Sequence, residues 1–191
     1  MDWDRFWAAN NLEIVSLREA PGYAGLPFQG GRDWIVNASR GQFKGKLFEI
    51  GWVNYITGLG TGTYATPHCF TYVRVGVEKN LPHVTFDNKF NYWGPIRKTD
   101  FIPKGGWKVK LPPQYSAQLT MRSLNVKYGV DQPDNPFTVA VVDALAALPL
   151  AFDIECIGQE VYLYNGKADE NDPETMQKLI ESSRIAQSLF S

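Results

Sequence analysis

Residues 42–79, QFKGKLFEIGWVNYITGLGTGTYATPHCFTYVRVGVEK, decide the architecture. From Lys46 to Asn54 the pattern alternates. Phe48, Ile50 and Trp52 fall on one face, and Leu47, Glu49, Gly51, Val53 and Tyr55 on the other. A period of two in β-branched and aromatic residues is the signature of a strand. The return run, Cys69 to Val77, sets Cys69, Thr71, Val73, Val75 and Val77 against Phe70, Tyr72 and Arg74. The stretch therefore predicts a long hairpin whose core face is Phe48, Ile50, Trp52 and the valine row.

The two runs are joined by Thr57-Gly58-Leu59-Gly60-Thr61-Gly62-Thr63, then Ala65-Thr66-Pro67. Glycine at every second position invites comparison with a phosphate-binding loop. Such loops open a helix whose first amides hold the phosphate, and here a proline and a strand follow instead. The Gly-Lys-Ser/Thr of a P-loop is also missing. The segment reads as a flexible connector, with a ligand-gripping loop as the alternative.

With 191 residues the chain has ample length for a hydrophobic core. Hydrophobic residues make up 44% and aromatics 14%, which argues a folded globule over a disordered chain. Nineteen Lys and Arg against twenty Asp and Glu give a net charge of −1, which disfavours nucleic acid or anionic lipid as a partner. Met1-Asp2-Trp3-Asp4-Arg5 has no signal-peptide character, and no run reaches membrane-span length. A soluble, cytoplasmic protein without membrane insertion is expected. Cys69 and Cys156 both fall in predicted strands and read as buried reduced thiols. The histidines are His68 and His83, and no metal-ligand spacing joins them to the cysteines, so neither metal nor cofactor is implied.

Working outward, Asp2 caps a short helix carrying Trp3, Phe6 and Trp7, and Leu12 to Leu17 is readable as strand or helix. Pro21 to Gly31 is a loop, Asp33 to Ala38 a strand, and Arg40-Gly41 its turn into the hairpin. Leu81-Pro82 opens a separate short strand, His83 to Phe86, and residues 87–106 show no period. Trp107 to Leu111 alternates until Pro112-Pro113 stops it, and Gln118 to Val130 reads as one or two strands. Asp134-Asn135-Pro136 starts a helix over Phe137 to Leu148. Ala151 to Cys156, a turn at Ile157-Gly158, and Glu160 to Tyr164 form a compact hairpin. Asp172-Pro173-Glu174 caps a last helix with Met176, Leu179, Ile180, Ser183, Ala186 and Phe190 as its buried stripe. The expected fold class is α+β, one domain over 1–191: an antiparallel sheet on the central hairpin with helices packed on one side. Its sub-blocks are 1–115, the hairpin sheet with its helix, and 116–191, a strand, helix, hairpin and helix.

Two features bear on function. Arg97, Lys98, Lys104, Lys108 and Lys110 interleave with Trp93, Phe101 and Trp107, a mixture that can hold single-stranded nucleic acid. An edge strand guarded by lysines gives the same pattern, and near-zero net charge favours that reading. Asp153 and Glu155, two apart on one strand face, or His68 and His83, are the available acid–base groups, yet no nucleophile is tied to any of them by a motif. Paired carboxylates on such a strand read first as a solvated face.

The run Asn37-Ala38-Ser39-Arg40-Gly41-Gln42-Phe43-Lys44-Gly45-Lys46, followed by an aromatic strand, a Gly/Thr loop, a valine-rich strand and Leu81-Pro82, resembles an uncharacterised bacterial family, mainly actinobacterial. Its members show a G-x-x-x-G turn, here Gly41 to Gly45, entering a strand like F-D-Y-x-Y, here Phe48-Glu49-Ile50-Gly51-Trp52. Phe152-Asp153-Ile154-Glu155 and Val161-Tyr162-Leu163-Tyr164 are similar to that family's closing hairpin. The resemblance covers about two thirds of the chain and implies structure, with no catalytic residues to carry over. Many members place membrane helices ahead of such a domain, and this chain shows none. The expectation is a non-catalytic module binding a protein or small molecule through Phe70, Tyr72, Trp93 and Trp107. A small hydrolase-like enzyme with a His or carboxylate site is the alternative.

Overall fold

The computed structural model describes residues 3–17, 22–28, 35–57, 66–91, 106–124, 135–166 and 172–191. Strands β1 (Leu12–Leu17), β2 (Ile35–Phe43), β3 (Lys46–Thr57) and β4 (Thr66–Asn88) form an antiparallel meander. Helix α1 (Trp3–Ala9) precedes it. The expected hairpin is β3 with the first half of β4, in the register Phe48↔Val75, Ile50↔Val73 and Trp52↔Thr71. β5 (Trp107–Val109), helix α2 (Pro113–Ser116) and β6 (Leu119–Ser123) follow, β6 pairing with the far end of β4 and β5 with β6. Helix α3 (Val139–Ala146) leads to β7 (Asp153–Asn165), which lies along the other edge of β4, and helix α4 (Pro173–Leu189) closes the chain. One α+β sheet thus takes strands from both halves of the sequence.

Helices cover one side, as the pattern predicts. Phe48, Ile50, Val73, Val75 and Val77 meet Trp7 of α1, Val142 and Leu145 of α3, and the α4 stripe in one buried cluster. Trp52 is only partly buried, its ring edge-on to Trp7. Asp172 caps α4 through bonds from the Glu174 and Thr175 amides, and Pro173 occupies the first turn, where its missing N–H costs nothing. Met176, Leu179, Ile180, Ser183, Ala186 and Phe190 are all buried. Leu179→Ala is accordingly expected to destabilise the protein by about 2–5 kcal/mol in urea unfolding. A loss under about 0.5 kcal/mol, the scale of surface changes, would make α4 an appendage.

Three boundaries differ from the sequence reading. β2 runs through Arg40-Gly41, because Arg40 lies opposite Glu49 and binds it, and the turn is at Lys44-Gly45 with φ of 51° and 73°. Both central residues at positive φ are what a two-residue hairpin requires. Residues 81–88 continue β4 instead of starting a new strand. Residues 153–165 form a single strand, in which Gly158 (φ 58°) pairs with Leu81 between two register slips instead of making a turn. The β4–β7 register slips twice, between the Gly76 and Leu81 pairs and between the Leu81 and Val84 pairs. Each slip leaves unpaired residues on β4 and bends the ribbon. Past the slips the helix-facing residues change from Val73, Val75 and Val77 to Val84 and Phe86 on β4. On β7 they change from Ile154 and Cys156 to Val161 and Leu163. The stretch from Leu12 to Leu17, open between strand and helix, is a strand. The glycine-rich connector 58–65, most of the irregular stretch, and Arg97, Lys98, Phe101 and Lys104 lie outside the described residues.

Candidate functional site

The sheet's second face is buried too. Tyr23 and Phe28, from the strap formed by residues 22–28, pack with Ala38, Val53, Phe70, Tyr72, Tyr162 and Tyr164. Tyr72 lies over Gly51, its register partner, where a Cβ would come within 2.4 Å of the ring. That contact explains a glycine in mid-strand. Because the slips invert the faces, Glu155 before Gly158 and Glu160, Tyr162 and Tyr164 after it all reach this side.

The polar groups here satisfy one another. Glu49, fully buried, accepts from Tyr23 at 2.5 Å and Tyr72 at 2.8 Å through Oε1, and from Arg40 Nε at 2.7 Å through Oε2. Glu160 takes Arg74 on one oxygen and the Tyr162 hydroxyl on the other. The Arg74 guanidinium also sits 4.4 Å from the Tyr23 ring centre, a cation–π contact. Glu155, fully buried, accepts from the Leu26 amide at 2.9 Å and Tyr164 at 3.0 Å, while His83 Nε2 lies 2.5 Å from its other oxygen. A carboxylate only accepts, so the imidazole donates through Nε2–H. Burial first, and the Glu49 charge second, push the Tyr72 hydroxyl far above the usual tyrosine range. Burial and Glu155 do the same to Tyr164. The tyrosines are therefore neutral donors.

This arrangement redistributes the residues expected at a site. Phe70 and Tyr72 are buried, lining an interior in place of the exposed platform anticipated for them, because the strap covers that face. Trp93 lies outside the described residues. Asp153 and Glu155 take different duties: Asp153 accepts from the Asn88 amide at 2.7 Å at the end of β4, while Glu155 ties down the strap. The His68 and Cys69 side chains fall outside the description. Cys156 is buried and free, its thiol pushed up by burial and by neighbouring Glu155. Among the described residues no group of three His, Cys, Asp or Glu is placed to hold a metal ion.

Trp107 is the exposed member of the expected set, with 46% of its surface accessible. It begins β5, and beside β5 runs a groove of about 550 Å³ between that strand, α2 and β6. Val109, Leu119 and Met121 give its apolar lining, and Lys89, Lys108 and Lys110 its charge. Lys89 Nζ donates to the Ser116 carbonyl at 2.9 Å, tying the end of β4 to α2. Next to it Phe90 is 66% exposed.

No family model, curated protein or solved structure matches the chain. Function is therefore argued from its own residues. Sequence reasoning missed the Glu49 cluster and Lys89. The signal for the first was Glu49 sharing a strand face with Gly51 and Val53, opposite Tyr72 and Arg74, a composition too aromatic for a wet surface. Lys89 stands far from Lys108 in the chain, and only the β4–β6 pairing brings the two to one groove.

Proposed function

We propose that this domain is a non-catalytic interaction module whose recognition surface is the β5–α2–β6 end of the sheet. The observation that carries the reading is a contrast between the two regions. On the strapped face, both oxygens of Glu49, Glu155 and Glu160 are engaged by protein donors. Groups so occupied are poorly placed to trade protons with a substrate. At the β5 end lysines line a groove of the volume that ligand sites take, and the strand beside it begins with an exposed tryptophan. The likeness of residues 37–46 to the actinobacterial family belongs to the same proposal and rests on the sequence alone. The described residues include no helix long and apolar enough to cross a membrane.

A second reading keeps the His83–Glu155 pair as an acid–base dyad, since His83 retains 11% side-chain exposure and is oriented by a buried carboxylate. Cross-linked capture from native lysate, followed by mass spectrometry, separates the two. Proteins captured by the wild type are expected to be lost with Trp107→Ala and kept with His83→Gln. Loss with folded His83→Gln, and retention with Trp107→Ala, would reverse the assignment.

A further inference from the structure

Resting on that reading, we propose that the β5 groove docks an extended acidic segment of a partner protein, laid along β5 with its carboxylates toward Lys108 and Lys110. Three observations converge. First, β5 is the terminal strand at this end of the sheet among the described residues, and a terminal strand offers a backbone edge that an extended peptide can join.

The second observation is charge. Among the described residues the groove lining includes three lysines and no carboxylate, in a chain whose net charge is −1, so the positive excess there is local. Lysine is a compact point charge without the fork that suits arginine to phosphate, and single carboxylates suit it well. Lysines alone on an edge strand would be ordinary protection against edge-to-edge pairing. Protection of that kind requires neither a groove nor exposed aromatics beside it.

The third is the spacing of the aromatics. Trp107 pairs with Ser123, and Phe90 lies just beyond Asn88, which pairs with Leu119. The two exposed rings thus mark opposite ends of β6, four steps apart, or roughly 13 Å at about 3.3 Å per residue. A strand of that length alternates its side chains, so glutamates at every second position would face the lysines while apolar residues between them face the other way.

The probe is a fluorescein-labelled decapeptide of alternating glutamate and valine, followed by anisotropy. Controls are a lysine–valine decapeptide and an oligothymidylate of similar length. The wild type is expected to bind the acidic peptide, more weakly as salt rises, and to bind the controls at least about tenfold less well. Lys108→Glu with Lys110→Glu is expected to weaken binding about tenfold or more, whereas Lys44→Glu in the distant β2–β3 turn leaves it unchanged. Lys44, Lys108 and Lys110 are all exposed, and circular dichroism is the check that the variants fold. Equal affinity of the reversed variant, or an oligothymidylate bound as tightly as the acidic peptide, overturns the proposal. If the acidic peptide fails to bind while Trp107→Ala still loses its lysate partners, the acidic assignment falls and the module reading stands. If both fail, both fall.

Discussion

Glu49→Ala is expected to cost the fold about 3–5 kcal/mol, the range for removing one partner of a buried ion pair. The carboxylate is fully buried and is the shared acceptor for Tyr23, Tyr72 and Arg40. Alanine would strand two phenolic hydroxyls, and a buried donor left unmade costs about 1–3 kcal/mol. The Arg40 left behind is 33% exposed and water can replace its partner, so the loss rests on the two tyrosines. Arg40→Ala instead leaves the fully buried carboxylate with hydroxyl donors and no cation, and is expected to cost more than the roughly 1 kcal/mol of an exposed pair. Urea unfolding of both variants checks this. A loss of about 1 kcal/mol or less for Arg40→Ala would mean that the tyrosine hydroxyls alone hold the carboxylate.

Phe28→Ala is expected to cost about 3–5 kcal/mol, as large-to-small changes in aromatic cores do. Phe28 is a strap residue, yet five rings surround it: Tyr23 and Tyr72 at 5.1 Å between centres, Tyr162 at 6.1 Å, and Phe70 and Tyr164 at 6.3 Å. Those neighbours belong to β4, β7 and the strap itself, so no single element can collapse to refill the space. Hydrogen exchange alongside urea unfolding distinguishes two outcomes. Faster exchange confined to residues 22–28, with global stability nearly unchanged, would show that the strap opens independently of the sheet.

Much of the fold was legible because the strongest signals were local. Alternation in Lys46 to Asn54 and Cys69 to Val77 identified β3 and half of β4, and Asp172-Pro173 with the Met176-to-Phe190 stripe identified α4. Two of the three boundary errors share one cause. At Gly158, and between Gly76 and Val84, the period of two breaks within a continuing strand, and a break in period beside glycine or proline reads as a turn. The helix-facing core survived those errors, since apolar residues mark it whichever way the strand is divided. The second face did not. Its assembly needs the strap, β3, β4 and β7 together, and a buried glutamate is distinguishable from a solvated one only by the partners that enclose it. Trp107 was visible as an aromatic beside lysines, but the groove that gives it meaning depends on pairing between distant strands.

The bulged ribbon of β4 and β7 also fixes how this chain can change length. One surplus residue on β4 separates the Leu81↔Gly158 and Val84↔Cys156 pairs. Removing it, for example by deleting Pro82, would leave Leu81 and Val84 two steps apart, as Gly158 and Cys156 are on β7, so Val84 and Phe86 would keep facing the helices. Loss of a residue from the regular stretch beyond, such as Thr85, has the opposite outcome. Phe86 would then turn toward the carboxylates and tyrosines, a change of frame in three dimensions that trades the dry side of the molecule for its polar side. Lineages of this sequence should tolerate the loss of Pro82 and resist single-residue losses from Val84 onward.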